Sequence, residues 1–96
     1  MTLDPTDLRS LQASLADRLF MQIAGWHLYL GDAGLAETLA IECSARIDQG
    51  VKIAARQSLE AVQVSLAGGS TRLPLARLVP ASQLFDLEEI LEPYCR

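Results

Sequence analysis

The first third of the chain carries an apolar side chain at every third or fourth position, which is the spacing of one face of an α-helix. Asp4 stands where an N-cap residue belongs, Pro5 fits the first helical position, and Asp7 faces the positive end of the helix dipole. Gly31 stands where a glycine commonly ends a helix. The pattern therefore predicts a helix over residues 5–30. Its inward stripe consists of Leu8, Leu11, Leu15, Leu19, Ile23, Trp26 and Leu30.

The second half of this predicted helix is apolar on all sides. Phe20, Met21, Ala24 and Leu28 lie away from the stripe, whereas Trp26 belongs to it and is assigned to the core. Leu28 falls roughly 200° round the helix from Trp26, since each residue turns the chain by about 100°. A helix that is apolar all round is covered on both sides. We therefore expect the rest of the chain or another molecule to pack on its second side.

Residues 33–48 also repeat apolar side chains at helical spacing, and Gly50 stands where a glycine ends such a helix. We predict a second helix over residues 33–48. Its inward side chains are Leu35, Ala36, Leu39, Ala40, Cys43 and Ile47. The next segment, residues 51–61, is ambiguous, because Val51-Lys52-Ile53 alternates like a strand whereas the following residues favour a helix. We choose a short helix over about residues 52–60.

Two runs of alternating apolar and polar residues flank Gly68-Gly69, which is the pattern of a β-hairpin. This predicts a hairpin over residues 62–75, with Pro74 at a sheet edge because proline cannot donate to a ladder. Ser82 is a candidate N-cap for a last helix over residues 82–92. The inward stripe of that helix is Leu84, Leu87, Leu91 and Tyr94.

These elements together predict a single α+β domain over residues 1–96, predominantly helical, with three to four helices and one β-hairpin. A chain of 96 residues is long enough for one hydrophobic core. Half of its residues are hydrophobic, which argues against disorder and leaves apolar surface for a partner.

Charge and cysteine content narrow the functional classes. The net charge of −4 disfavours binding to nucleic acid, which requires a basic patch. The longest stretch without an ionised residue, Leu19–Gly31, is too short to span a membrane. Asp4 and Asp7 stand where a signal peptide would be cationic, and Cys43 and Cys95 lie too far apart for a zinc motif. We therefore predict a cytoplasmic protein with no nucleic-acid partner, no membrane span, no metal and no cofactor.

The segment Trp26-His27-Leu28-Tyr29-Leu30 holds the only tryptophan and the only histidine of the chain. A catalytic histidine needs an orienting carboxylate and a nucleophile or polarised substrate nearby. No serine or cysteine motif accompanies His27, and Asp32 lies five positions further on, past the predicted helix end. We therefore predict no catalytic residue.

Three segments of the chain together resemble a family of small cyanobacterial proteins. They are Trp26-His27-Leu28-Tyr29-Leu30, Val64-x-Leu66-x-Gly68-Gly69 and Leu73-Pro74-Leu75-x-x-Leu78-x-Pro80. The resemblance covers the chain from about residue 8 to residue 92, and the family has no assigned biochemical function. It implies the cytosol of a photosynthetic bacterium, and it transfers no active-site residue to this chain.

Surplus apolar surface without catalytic machinery favours a non-enzymatic protein-interaction or assembly module. Such a module docks on a larger assembly, or self-associates as a homodimer, through the apolar second half of the first helix and the nearby hairpin edge. The contact residues that we predict are Met21, His27, Leu28 and Tyr29. For Leu28 and Tyr29 the pattern leaves open whether they are contact or structural residues.

The alternative is a small-molecule-binding protein or minor enzyme. Its pocket would lie near Trp26, His27 and Asp32, with the imidazole both accessible and partnered.

Overall fold

The fold consists of five α-helices and two antiparallel β-hairpins in the residues that the structure, a computed structural model, describes: 3–23, 25–66, 69 and 71–94. The helices are α1 (Pro5–Arg18), α2 (Leu30–Ala33), α3 (Ala36–Arg46), α4 (Val51–Ala61) and α5 (Ala81–Leu91). The strands are β1 (Phe20–Ile23), β2 (Trp26–Tyr29), β3 (Gln63–Leu66) and β4 (Thr71–Pro74). The predicted class, a mostly helical α+β domain, is confirmed, with one hairpin more than predicted.

Helix α1 begins as predicted. The Asp4 carboxylate accepts a hydrogen bond of 2.8 Å from the Asp7 amide, and Pro5 occupies the first position. Leu11 and Leu15 are fully buried. The N-cap and this part of the apolar stripe are therefore confirmed.

The helix predicted over residues 5–30 is wrong beyond Arg18. Leu19 is extended, with φ −100° and ψ 142°, and Phe20–Ile23 and Trp26–Tyr29 form β1 and β2. Successive side chains of a strand point to opposite faces. Leu19 and Met21 are therefore both buried, and the apolar residues that a helix would spread round its circumference divide into an inner and an outer set.

A short connection closes β1 and β2 into a hairpin. The register pairs Phe20 with Tyr29 at the open end and Ile23 with Trp26 at the tip. Gly25 in the connection has a φ of +84°, a left-handed conformation that glycine adopts without strain. This glycine permits the reversal of the chain that a continuous helix excludes; Ala24, predicted to lie on the helix, is outside the described residues.

Of the second predicted helix, residues 33–48, only Ala33 belongs to α2, and most of the remainder forms α3 and a 3₁₀ turn. Helix α2 is a single turn that ends at Gly34, whose φ is +73°. Helix α3 follows, and a 3₁₀ turn covers Ile47–Gln49. The ambiguous segment 51–61 is helical over its whole length as α4, so the choice of a helix there is confirmed.

The hairpin predicted over residues 62–75 is confirmed as β3 and β4, whose register pairs Gln63 with Pro74. Gly68 of the predicted turn and the thiol of Cys95 lie outside the described residues. The last helix is confirmed as α5, but Pro80 rather than Ser82 occupies its N-cap position.

The core lies where α1 packs on α3, and where α4 packs on both α3 and α5. Leu39, Leu87 and Leu91 are fully buried within it. Cys43 is also fully buried, as the inward stripe of the second helix predicted. The β1–β2 hairpin packs beside this helical core through Met21, and it carries most of the segment that the sequence singled out.

Candidate functional site

The hydrogen-bond pattern of the β1–β2 hairpin determines which backbone groups point away from it. The Leu30 amide donates to the Leu19 carbonyl at 3.0 Å, so these two residues form a hydrogen-bonded pair. Bonded and non-bonded pairs alternate along an antiparallel ladder. The amides of Phe20 and Gln22 therefore point away from β2, and the amides of Tyr29 and His27, the residues opposite them, point away from β1. We call these amides outward.

Both outward amides of β1 are bound by the helical part of the chain. The Gln22 amide donates to the Leu78 carbonyl at 2.8 Å, and the Phe20 amide donates to Gln83 Oε1 at 3.0 Å. Gln83 is buried, and its Nε2 donates to Asp86 Oδ2 at 2.7 Å. These bonds attach the hairpin to α5 and to the segment before α5, so β1 is the strand that lies next to the helical part of the chain.

The two faces of the hairpin have different surroundings. Met21 on the inner face is 3% exposed, and Leu28 opposite it is 36% exposed. On the outer face the rings of Phe20 and His27 stack with centroids 4.6 Å apart. Tyr29 meets Phe20 edge-on at 5.8 Å. The outer face therefore presents three connected rings.

Trp26 lies at the tip of the hairpin and is 77% exposed. The assignment of Trp26 to the core is therefore wrong. In a helix its side chain would continue the stripe of Leu15 and Leu19, whereas in the hairpin it lies next to the turn at Gly25. Exposure of an indole leaves a large apolar area in water, which is uncommon for a residue without a binding role.

His27 is exposed and has two neighbours in the hairpin. The amide nitrogen of Gln22 lies 2.8 Å from His27 Nε2, and it donates to that atom when the neutral ring carries its proton on Nδ1. Phe20 stacks on the same ring. Within the described ranges, no carboxylate, serine or cysteine forms a hydrogen bond or ion pair with this imidazole, and the ring is positioned by Gln22 and Phe20.

The structure therefore separates the four predicted contact residues. His27, Leu28 and Tyr29 lie together on β2 and are exposed, whereas the burial of Met21 removes the basis for predicting it as a contact residue. Sequence analysis missed Phe20, which joins His27 and Tyr29 on the outer face. The short connection at Gly25, between two runs rich in apolar and aromatic residues, was the feature that could have revealed the hairpin.

A small cavity of about 140 Å³ lies elsewhere, between α4 and the start of α5. It is lined by Arg56, Leu59, Glu60, Ala76, Val79, Pro80, Ala81 and Leu84. Neither Trp26, His27 nor Asp32, the residues predicted to surround a pocket, contributes to it.

Within the described ranges, no three histidine, cysteine or acidic side chains are grouped as metal ligands would be. None of the helices in that part of the chain has the length and apolar character needed to cross a membrane.

Comparison with known proteins identifies one family. Residues 8–94 match the family described as "Protein of unknown function (DUF3181)". No curated protein and no solved structure matches the chain.

Proposed function

We propose that this chain, which belongs to the DUF3181 family, acts as a non-enzymatic protein-interaction module. Its contact surface is the hairpin surface, which comprises Phe20, Trp26, His27, Leu28 and Tyr29. The observation that carries the proposal is the 77% exposure of Trp26 on a hairpin whose other strand is bound to the helical core.

The chemistry of the hairpin surface suits a protein partner. Tryptophan and tyrosine are enriched among the residues that contribute most to protein–protein binding. The segment Leu19–Gly31 carries no ionised side chain, so a partner can cover it without removing a charge from water. It also lacks lysine and arginine, which a phosphate backbone would require.

The attachment of the hairpin favours binding as well. The Leu78 carbonyl and Gln83 Oε1 accept hydrogen bonds from the outward amides of β1, so the strand is held in place before a partner binds. A partner therefore has less conformational freedom to remove, which is the usual advantage of a preorganised surface. The proposed contact surface therefore lies on the hairpin and not on the first helix, where the sequence predicts it.

The proposed setting is the cytosol of a cyanobacterium, as the sequence resemblance implies, and the proposed partner is another protein or a second copy. The alternative of a ligand pocket near Trp26, His27 and Asp32 receives less support. The side chain of Trp26 is 77% exposed and that of His27 is also exposed, whereas a ligand pocket would enclose them.

Affinity purification of the tagged chain from its native host tests this proposal. The test variant combines Trp26→Ala with Tyr29→Ala, and the matched control is Phe85→Ala, because Phe85 is a 66% exposed aromatic residue on α5. We expect a protein that is recovered with the wild type and with the control. Its recovery should fall by roughly tenfold or more with the double variant, as loss of two central aromatic contacts implies.

All three proteins should show the same helical circular dichroism, since the substituted side chains are exposed. A set of recovered proteins that the double variant leaves unchanged would contradict the proposal. So would recovery of nothing above the level of a tag-only control.

A further inference from the structure

The cavity between α4 and the start of α5 has the size and the lining of a site for one small apolar group. Its volume is about 140 Å³, and the described residues that line it are six apolar and two charged ones. An engineered apolar cavity of about 150 Å³ in another protein binds benzene. Benzene has more carbon atoms than the side chain of leucine, so an aliphatic side chain of that size fits a cavity of this volume.

The two charged residues of the lining are Arg56 and Glu60. Both are exposed and lie one turn apart on α4, where opposite charges can pair. Neither takes part in an ion pair within the described part of the chain. The order along the helix explains this, because an acid that precedes the base pairs better than the reverse. One positive and one negative group at the cavity are therefore available to a ligand.

Backbone hydrogen bonds hold the wall opposite α4 in place. The Leu78 and Val79 amides donate to the Leu75 carbonyl at 2.9 and 3.1 Å, and the Leu78 carbonyl accepts the Gln22 amide at 2.8 Å. Leu75 itself is fully buried. The cavity is thus formed before a ligand binds, which lowers the entropic cost of binding.

We propose that this cavity binds a free α-amino acid with an apolar side chain. The apolar side chain enters the cavity, the carboxylate accepts hydrogen bonds from the Arg56 guanidinium, and the ammonium group donates to the Glu60 carboxylate. An amino acid of this kind has the three features that complement the lining: one apolar group and two opposite charges close together. The inference is independent of the proposed function, because it concerns a different surface.

Charge favours an amino acid over a fatty acid or an amine. A carboxylate alone would pair with Arg56 but would also meet the like charge of Glu60, and an amine alone would do the reverse. A zwitterion avoids both repulsions. Because Arg56 and Glu60 are exposed, each pairing contributes modestly, and burial of the apolar side chain supplies most of the affinity.

Titration of the isotope-labelled protein with L-leucine, followed by NMR, tests the proposal. We expect saturable chemical-shift changes at the amides of the lining residues Leu59, Ala76, Val79, Ala81 and Leu84. L-alanine keeps both charges but buries less apolar surface, so its dissociation constant should be roughly 10- to 50-fold higher. The absence of saturable changes at these amides up to about 10 mM L-leucine overturns the proposal. Equal binding of L-alanine and L-leucine overturns it as well.

Two analogues of leucine that each lack one charge test the choice of an amino acid. Isocaproate lacks the ammonium group, and isoamylamine lacks the carboxylate. Both should bind with dissociation constants at least roughly two- to fivefold higher than that of L-leucine, as loss of an exposed charge pairing implies. If either analogue binds as tightly as L-leucine, the cavity selects only an apolar group and the proposal is wrong.

Glu60→Gln tests which protein group meets the ammonium group. This variant should weaken the binding of L-leucine by roughly two- to fivefold. It should strengthen the binding of isocaproate, because the carboxylate of that analogue no longer meets a like charge. Lys52→Gln is the matched control, since Lys52 is an exposed charged residue of α4 that is not part of the lining, and it should change neither affinity. A Glu60→Gln variant with wild-type affinity for L-leucine overturns the assigned role.

Filling the cavity tests the location of the site. Ala81→Leu adds a larger side chain to the lining and should abolish the saturable changes. Ser82→Leu is the matched control, because Ser82 is the next residue of α5, is exposed and is not part of the lining, so L-leucine should bind as in the wild type. Circular dichroism establishes that the variants fold. Binding of L-leucine that a folded Ala81→Leu variant leaves intact overturns the cavity as the site.

Discussion

Gly31 has a role that differs from the one its position in the sequence predicted. It does not end the first helix but lies within α2, where the chain passes close to α1. A Cβ atom added at Gly31 would lie 2.9 Å from the Ala16 Cβ and 3.1 Å from the Ala16 carbonyl oxygen. Because one of these neighbours is backbone, the space cannot be recovered by rotating a side chain. The glycine therefore permits the close approach of α2 to α1.

We expect Gly31→Ala to lower the free energy of unfolding by about 1–3 kcal/mol through this overlap. Urea denaturation followed by circular dichroism measures the change. In an Ala16→Gly background the closest contact is absent, so the same substitution should cost less. An equal cost in both backgrounds would show that the overlap with the Ala16 methyl group is not responsible.

Residue-level predictions succeeded where local chemistry determines the structure. Asp4 caps α1 because its carboxylate reaches the Asp7 amide within the same turn, and no distant contact is involved. The assignment of Trp26 to the core was wrong because the environment of this residue depends on whether the chain continues as a helix or reverses at Gly25. The hydrophobicity of a tryptophan does not distinguish a core position from an exposed contact.

At the scale of elements, the β1–β2 hairpin was not predicted because the apolar positions of residues 15–23 fit both a helix and a strand. Leu15, Leu19 and Ile23 are four residues apart, as on a helix, yet the alternate positions Leu19 and Met21 also fit the inner face of a strand. In so short an apolar run, periodicity does not distinguish a helix from a strand. Tertiary hydrogen bonds, which the sequence does not display, decide the outcome here.

The remaining elements were more readily predicted because their signals are local. Helix α4 has the composition of a helix, and α5 has a clear apolar stripe bounded by prolines at positions 80 and 93. The β3–β4 hairpin has alternation on both sides of a glycine pair. The sequence singled out the segment that forms β2, but the geometry of that segment followed only from the fold.

Gln83 connects the hairpin to α5 and provides a test at the element scale. Gln83→Ala leaves the Phe20 amide without its acceptor and Asp86 without its donor. We expect a loss of about 1–3 kcal/mol in the free energy of unfolding and faster hydrogen exchange at the Phe20 amide.

Gln63→Ala is the matched control, because Gln63 is exposed and the only hydrogen bond of its side chain within the described residues is a 3.4 Å bond from Nε2 to the Glu60 carbonyl. Its effect should stay within about 0.5 kcal/mol. Unchanged exchange at Phe20 in the Gln83 variant would contradict the role assigned to this side chain.

At the scale of the molecule, exposed apolar side chains are concentrated in one place. Among the described residues, six large hydrophobic side chains are exposed, and three of them belong to the four-residue strand β2. The other three are Ile41, Ile53 and Phe85, which lie on three different helices. Scattered apolar residues are ordinary on a protein surface. On β2, Trp26 and Leu28 lie on one face of the strand and Tyr29 lies on the other, so the proposed contact surface reaches both faces of the hairpin.

The fluorescence of Trp26, the only tryptophan, reports on this surface without any substitution. In dilute protein we predict emission typical of a solvent-exposed indole and strong quenching by iodide. When the protein recovered by affinity purification is added, it should cover the ring, so emission should shift to shorter wavelength and quenching should weaken. An indole shielded from iodide even in dilute protein would contradict the exposed hairpin. An indole that iodide quenches equally with and without that recovered protein would contradict its role as a contact surface.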